Sequence, residues 1–205
     1  MKKLEIRNYS VELRTIPESR NIAGLAIPVE SRSSLLGDFY EIIRSSAVND
    51  ELIQNNDIKV YLDHNPGQGT FARSKFGNGS LSLSVTERGL EFSFDAPDTV
   101  FGDALLEGVK RGDYDQMSFG FYVGEDKWDM DEDGTYIRSI LSFGGIEEIS
   151  ILSQLPAYPQ TEVATRSLEE FKEAKAEEER KKEELINKLD SIMQDVDNSC
   201  DKYLV

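Results

Sequence analysis

The chain has 205 residues, of which 39% are hydrophobic, enough for one globular domain and an appendage. A formal net charge of −16 opposes binding to phosphate backbones, which needs clustered Lys and Arg, so nucleic acid is not an expected partner. No run of about 18 apolar residues marks a membrane span, Met1–Arg7 has charges but no apolar signal core, and the single cysteine, Cys200, forbids an internal disulfide and fits a reducing compartment.

Residues 3 to 30 read as two strands. Leu4, Ile6 and Tyr9 alternate irregularly, Val11 and Leu13 follow, and Asn21–Val29 forms a buried strand ended by its proline, Pro28. Ser31, Ser33, Ser34 and Gly37 predict a mobile loop over 31–44, and a short helix is expected from Ser46 to Gln54 with Ser46 as its cap. Ile58–Leu62 is a strand that ends in the turn signal Asp63-His64-Asn65-Pro66-Gly67. Phe71–Arg73 begins another extended piece before the hairpin signal Gly77-Asn78-Gly79. Leu81, Leu83 and Val85 alternate with serines and turn through Thr86–Gly89 into Leu90–Phe94. Asp98 or Thr99 caps a helix to about Arg111, with Phe101, Leu105, Leu106 and Val109 on one face and Gly112 as its stop.

Gln116–Phe121 is the stretch around which the rest is arranged. Met117, Phe119 and Phe121 alternate with Ser118 and Gly120, so one strand face is bulky and the other carries only a hydroxyl and a hydrogen, leaving a groove. An acidic loop and strands over 136–143 and 145–154 come next, and Leu155-Pro156-Ala157-Tyr158-Pro159 closes a domain over residues 1–165. Residues 166–205 form a charged helical tail, opened by the capping box Ser167-Leu168-Glu169-Glu170. Its stripe of Leu185, Leu189, Ile192 and Val196 suggests a partner helix from another copy, a homodimer or higher homo-oligomer; a solvated tail is the alternative.

The chemistry-bearing residues are few. His64 is the only histidine, so any imidazole acid–base chemistry must use it; a local turn contact is the other reading. Asp129–Gly134 resembles the opening of a calcium loop, but Ile140 stands where the bidentate glutamate belongs, which leaves an acidic hairpin turn. No phosphate loop and no paired Cys/His spacing appears, so neither metal nor cofactor is expected. Glu147 and Glu148 enter a strand side by side and must point to opposite faces, so one of them can share the Ser118 groove.

Taken together, Tyr61–Pro66, Gly112–Phe121 and Glu148–Leu152 running on to Pro156–Pro159 resemble the head-maturation (prohead) serine proteases of tailed bacteriophages, over roughly residues 20–165. The resemblance implies an α+β fold, a mainly antiparallel β-barrel-like core with a few surrounding helices, similar to the herpesvirus assembly proteases. It implies His64 as base, Ser118 as nucleophile and Glu148 as orienting acid, with Glu147 the weaker candidate. Asp115-Gln116 departs from the smaller residues more usual in the family at those positions, which puts the shape of the substrate groove in doubt. Substrates would be the phage major capsid protein and scaffold protein, with self-cleavage, inside a procapsid in the host bacterial cytoplasm. No cofactor is implied. A non-enzymatic assembly protein of the same fold is the competing reading, and a small-molecule-binding β-barrel a more distant one.

Overall fold

The structure, a computed structural model, describes residues 3–10, 13–154 and 162–201. Strands β1 (Glu5–Ser10), β2 (Arg14–Thr15), β3 (Asn21–Pro28) and β4 (Phe39–Ile43) lead to helix α1 (Asp50–Gln54). Then come β5 (Asp57–Leu62), β6 (Ala72–Lys75), β7 (Asn78–Gly79), β8 (Ser82–Thr86) and β9 (Gly89–Asp95), followed by α2 (Val100–Arg111), β10 (Gln116–Met130), β11 (Tyr136–Leu152) and α3 (Glu162–Asp201). The expected α+β class, with largely antiparallel pairing and a charged C-terminal helix, is what the chain adopts. The strands form two sheets, neither closed into a barrel: a seven-stranded sheet in the order β1-β10-β11-β5-β6-β7 with β4 also on β11, and a four-stranded sheet β2-β3-β9-β8.

The β10–β11 hairpin is the spine of the larger sheet. Its length lets β11 take two parallel partners on one edge, β4 along Tyr136–Ile140 and β5 along Glu148–Ile151, while β1 pairs with Gln116–Phe121 of β10. Met117, Phe119, Phe121, Ile149 and Ile151 of this sheet are at most 1% exposed and belong to one core cluster with Ile22, Leu90, Phe92 and Phe94 of the smaller sheet and Leu105, Leu106 and Val109 of α2. Each such side chain stabilises the fold by about 1.5–3 kcal/mol relative to exposure. Helix α2 is capped by the Thr99 side chain and stopped by Gly112 in the left-handed region, but Phe101 stays half exposed rather than joining the buried face.

Several elements differ from expectation for reasons that lie in tertiary contacts. Residues 31–44 include β4, whose Phe39 packs edge-on against Trp128 with ring centroids 4.9 Å apart. Ser46 falls in a short 3-10 turn, and Asn49 caps α1 by accepting from Leu52 N. The stretch read as an acidic loop is mostly strand, because Asp126 pairs with buried Arg138 and Trp128 is buried against β4. Only Asp131–Gly134 turns, and β11 runs unbroken from Tyr136 to Leu152 past Gly144-Gly145. Neither Val11 nor the expected break at Leu155–Pro159 lies within the described residues.

The chain divides into two compact units, Met1–Val163 and Ala164–Val205. Helix α3 starts at Glu162, two residues before that boundary, so Ser167 is inside the helix and not its cap; Ala164 and Arg166 are good helix formers and carry it upstream. Leu185, Leu189 and Ile192 are all more than half exposed, and the side chains of Val196 and Cys200 lie outside the described residues. Among the described residues no helix is long and apolar enough to cross a membrane.

Candidate active site

Strand register builds one face of the site. Ser118 on β10 stands directly opposite Asn8 of β1 on one side and Ser150 of β11 on the other. The next row places Gly120 opposite Ile6 and Glu148. Directly opposed residues share a face, with Cβ atoms about 4.5–5.5 Å apart, so Asn8, Ser118, Ser150 and Glu148 converge there. The expected open groove is absent: Ser118 is 0% exposed and Gly120 is buried, because β10 is an interior strand and Glu148 leans over Gly120. A Cβ on Gly120 would lie 3.1 Å from Glu148 Oε1.

His64 reaches this face through the parallel pairing of β5 with β11. Leu62 sits beside Ile151, and Asp63 N donates to Ile151 O at 2.9 Å. The chain then turns sharply, with Asp63 and His64 both in the left-handed region at φ +53° and +57°. That conformation costs about 1–2 kcal/mol per residue for side chains other than glycine. It is fastened by the Asp63 carboxylate, which accepts from Ser153 N at 2.8 Å and Ser153 Oγ at 2.7 Å. So directed, His64 Nδ1 lies 2.6 Å from Glu148 Oε1. The second carboxylate oxygen, Oε2, accepts from Ser150 Oγ at 2.5 Å.

Three buried side-chain polar atoms among the described residues make no hydrogen bond: Ser118 Oγ, His64 Nε2 and Asn8 Oδ1. No hydrogen bond joins Ser118 to His64. Glu147 goes to the opposite face, where its Oε2 accepts from Tyr122 Oη at 2.9 Å, a bond that raises the phenol above its ordinary value. The structure therefore brings His64 and Glu148 into contact, puts Ser118 on the same sheet face, and keeps Glu147 away.

Behind the site, on the other face of β1, Arg7 bonds Glu41 through Nε at 2.7 Å and Nη2 at 2.9 Å and also Glu5, while Arg138 bonds Glu5, Glu41 and Asp126. Burial pushes the Glu5 carboxyl up, but Arg138 and Arg7 outweigh it and hold it below its ordinary value. This cluster clamps edge strand β1 to β4 and β11. Sequence reasoning passed over Ser150 and Asn8. Ser150 was within reach, since it lies two residues from Glu148 on a strand and so shares its face; Asn8 carries no local signal.

A family model described as caudovirus prohead serine protease matches residues 7–174. Among solved structures, the chain is similar to the capsid assembly protease of bacteriophage T4, at 11% identity and a TM-score of 0.46, over 73% of this chain and 97% of that one. No curated protein matches it.

Proposed function

The chain belongs to the caudovirus prohead serine proteases, and from that membership we propose that it is a serine endopeptidase whose nucleophile, base and orienting acid are Ser118, His64 and Glu148. The observation that carries this reading is the 2.6 Å contact from His64 Nδ1 to Glu148 Oε1, beside a serine whose hydroxyl has no other engagement. With Nδ1–H donated to the carboxylate, Nε2 keeps its lone pair, the tautomer a general base requires.

Ser118 Oγ attacks the scissile carbonyl while His64 Nε2 removes its proton, and the imidazolium then protonates the leaving amine. Glu148 fixes the tautomer and stabilises the imidazolium as it forms, and Ser150 holds Glu148 in place. Water repeats the sequence on the acyl-enzyme. The substrates proposed are the scaffold protein, or the scaffolding segment of the major capsid protein, and the protease itself, cleaved inside the procapsid. The exposed Leu185–Leu189–Ile192 stripe of α3 supports a helix contact between copies or with scaffold.

The test is mass spectrometry of capsid proteins matured with wild-type and Ser118→Ala protein. Cleaved termini with the wild type and none with the folded variant are expected. Normal processing by Ser118→Ala, or assembly that tolerates His64→Ala without loss, would favour a non-enzymatic assembly role.

A further inference from the structure

We propose that Asn8 is a further catalytic residue: its carboxamide N–H donates to the scissile carbonyl oxygen as that oxygen becomes an oxyanion. The proposal rests on Ser118 being the nucleophile. In the step concerned, the Ser118 Oγ–carbon bond forms, the Oγ proton passes to His64 Nε2, and the carbonyl π pair moves onto the oxygen that Asn8 faces. Collapse of the adduct returns that pair and expels the amine, which takes the proton from His64.

Buried polar atoms without partners are rare in folded proteins and call for a reason. Here there are three among the described residues. Two, Ser118 Oγ and His64 Nε2, are the atoms between which the reaction's proton moves. The third belongs to Asn8, which stands opposite Ser118 in the strand register. In the row Asn8–Ser118–Ser150, the Ser150 hydroxyl is committed to Glu148, and Asn8 is the member whose carboxamide oxygen is left without a partner. A half-turn of the carboxamide exchanges its oxygen and nitrogen without moving the rest of the side chain. A developing negative oxygen selects the N–H.

The residue is also held in advance, as an oxyanion donor must be. On one side of it Arg7 is locked by Glu5 and Glu41, and on the other the Tyr9 hydroxyl donates to Leu25 O at 2.7 Å.

The experiment follows phosphonylation of Ser118 by an alkyl fluorophosphonate in the full chain, whose phosphoryl oxygen takes the oxyanion's place. Wild type, Asn8→Ala, Asn8→Asp and Ser118→Ala are compared by intact mass, with thermal midpoints as the folding control. Expected is a fall of about 10²–10³-fold in the maximal labelling rate for Asn8→Ala, with the half-saturating probe concentration nearly unchanged. Asn8→Asp, of the same shape but negatively charged and without an N–H, should be at least as slow. Labelling of Asn8→Ala within about threefold of wild type, or a loss confined to half-saturation, overturns the role of Asn8 and leaves Ser118 standing. If wild type is not labelled, or Ser118→Ala is labelled equally, the nucleophile assignment falls and the Asn8 proposal with it.

Discussion

His64 Nδ1 and Glu148 Oε1 lie 2.6 Å apart although 84 residues separate them in the chain, and Glu147, one residue nearer, is turned away toward Tyr122. Glu148→Gln keeps the shape but removes the charge beside His64 Nδ1 that the proposed mechanism requires. Its kcat on a scaffolding-segment peptide should fall by about 10²–10⁴-fold with little change in KM. Glu147→Gln should leave both constants as they are. Equal losses for the two variants would contradict the assignment.

In the proposed site Ser150 touches Glu148 and acts through it, not on substrate. Ser150→Ala removes a hydrogen bond to a charged group, worth about 1.5–3 kcal/mol, so kcat should fall by roughly tenfold or somewhat more. Ser150→Thr retains the hydroxyl and should recover much of the rate, which a packing role alone would not require.

Gly120 is where close approach, rather than turn geometry, requires glycine. In Gly120→Ala the new methyl meets Glu148 Oε1 at 3.1 Å, so the carboxylate, with His64 on it, must give by a few tenths of an ångström. A displacement of about 1 Å can cost as much as 10²-fold in rate, so this smaller one should cost roughly threefold to tenfold. The thermal midpoint should move little while kcat drops, a dissociation that steady-state kinetics and calorimetry on one preparation will reveal.

The buried cluster behind β1 makes stability depend on acid. Glu5 titrates below its ordinary value of 4.5 when folded, so its contribution is fully present above pH 4.5 and is lost as pH falls through the lower folded value. Denaturant titrations from pH 7 to pH 3 should show this loss. Glu5→Gln should be less stable at pH 7 and lose less on acidification. Glu41→Gln, which leaves Arg7 and Arg138 short of a buried carboxylate, should cost about 3–5 kcal/mol.

Removing residues 176–205 deletes the exposed stripe of α3. Peptide cleavage in solution should persist while incorporation into procapsids declines, measured by the protease content of purified particles. Loss of cleavage in solution would instead tie the helix to the catalytic unit.

Much of this arrangement is legible in the sequence where local periodicity decides the outcome. Met117, Phe119 and Phe121 alternate and are buried as that pattern requires, and Thr99 and Gly112 bracket α2. Alternation also separates Glu147 from Glu148, but which one faces the serine depends on the register of β11 against β10, and no local pattern encodes that. The same holds for Asn8, matched to Ser118 only because β1 joins the sheet 110 positions away from its partner. β4 was missed because its pairing partner comes about a hundred residues later. The burial of Ser118 was hidden for a related reason, since a strand looks half open until both neighbours are known.

The parallel seam between β5 and β11 has one more consequence, for the order in which the chain is made. Ser118, Glu148 and Ser150 ride on a single hairpin, but His64 meets its carboxylate only when β11 is complete and has paired with a strand synthesised long before it. Such distant pairings form late, because the closure entropy of the intervening chain must be met first. On the proposed assignment, a nascent chain that has not reached residue 148 therefore carries its histidine and its serine with no glutamate to align them. Proteolytic competence would then arrive only with the finished sheet.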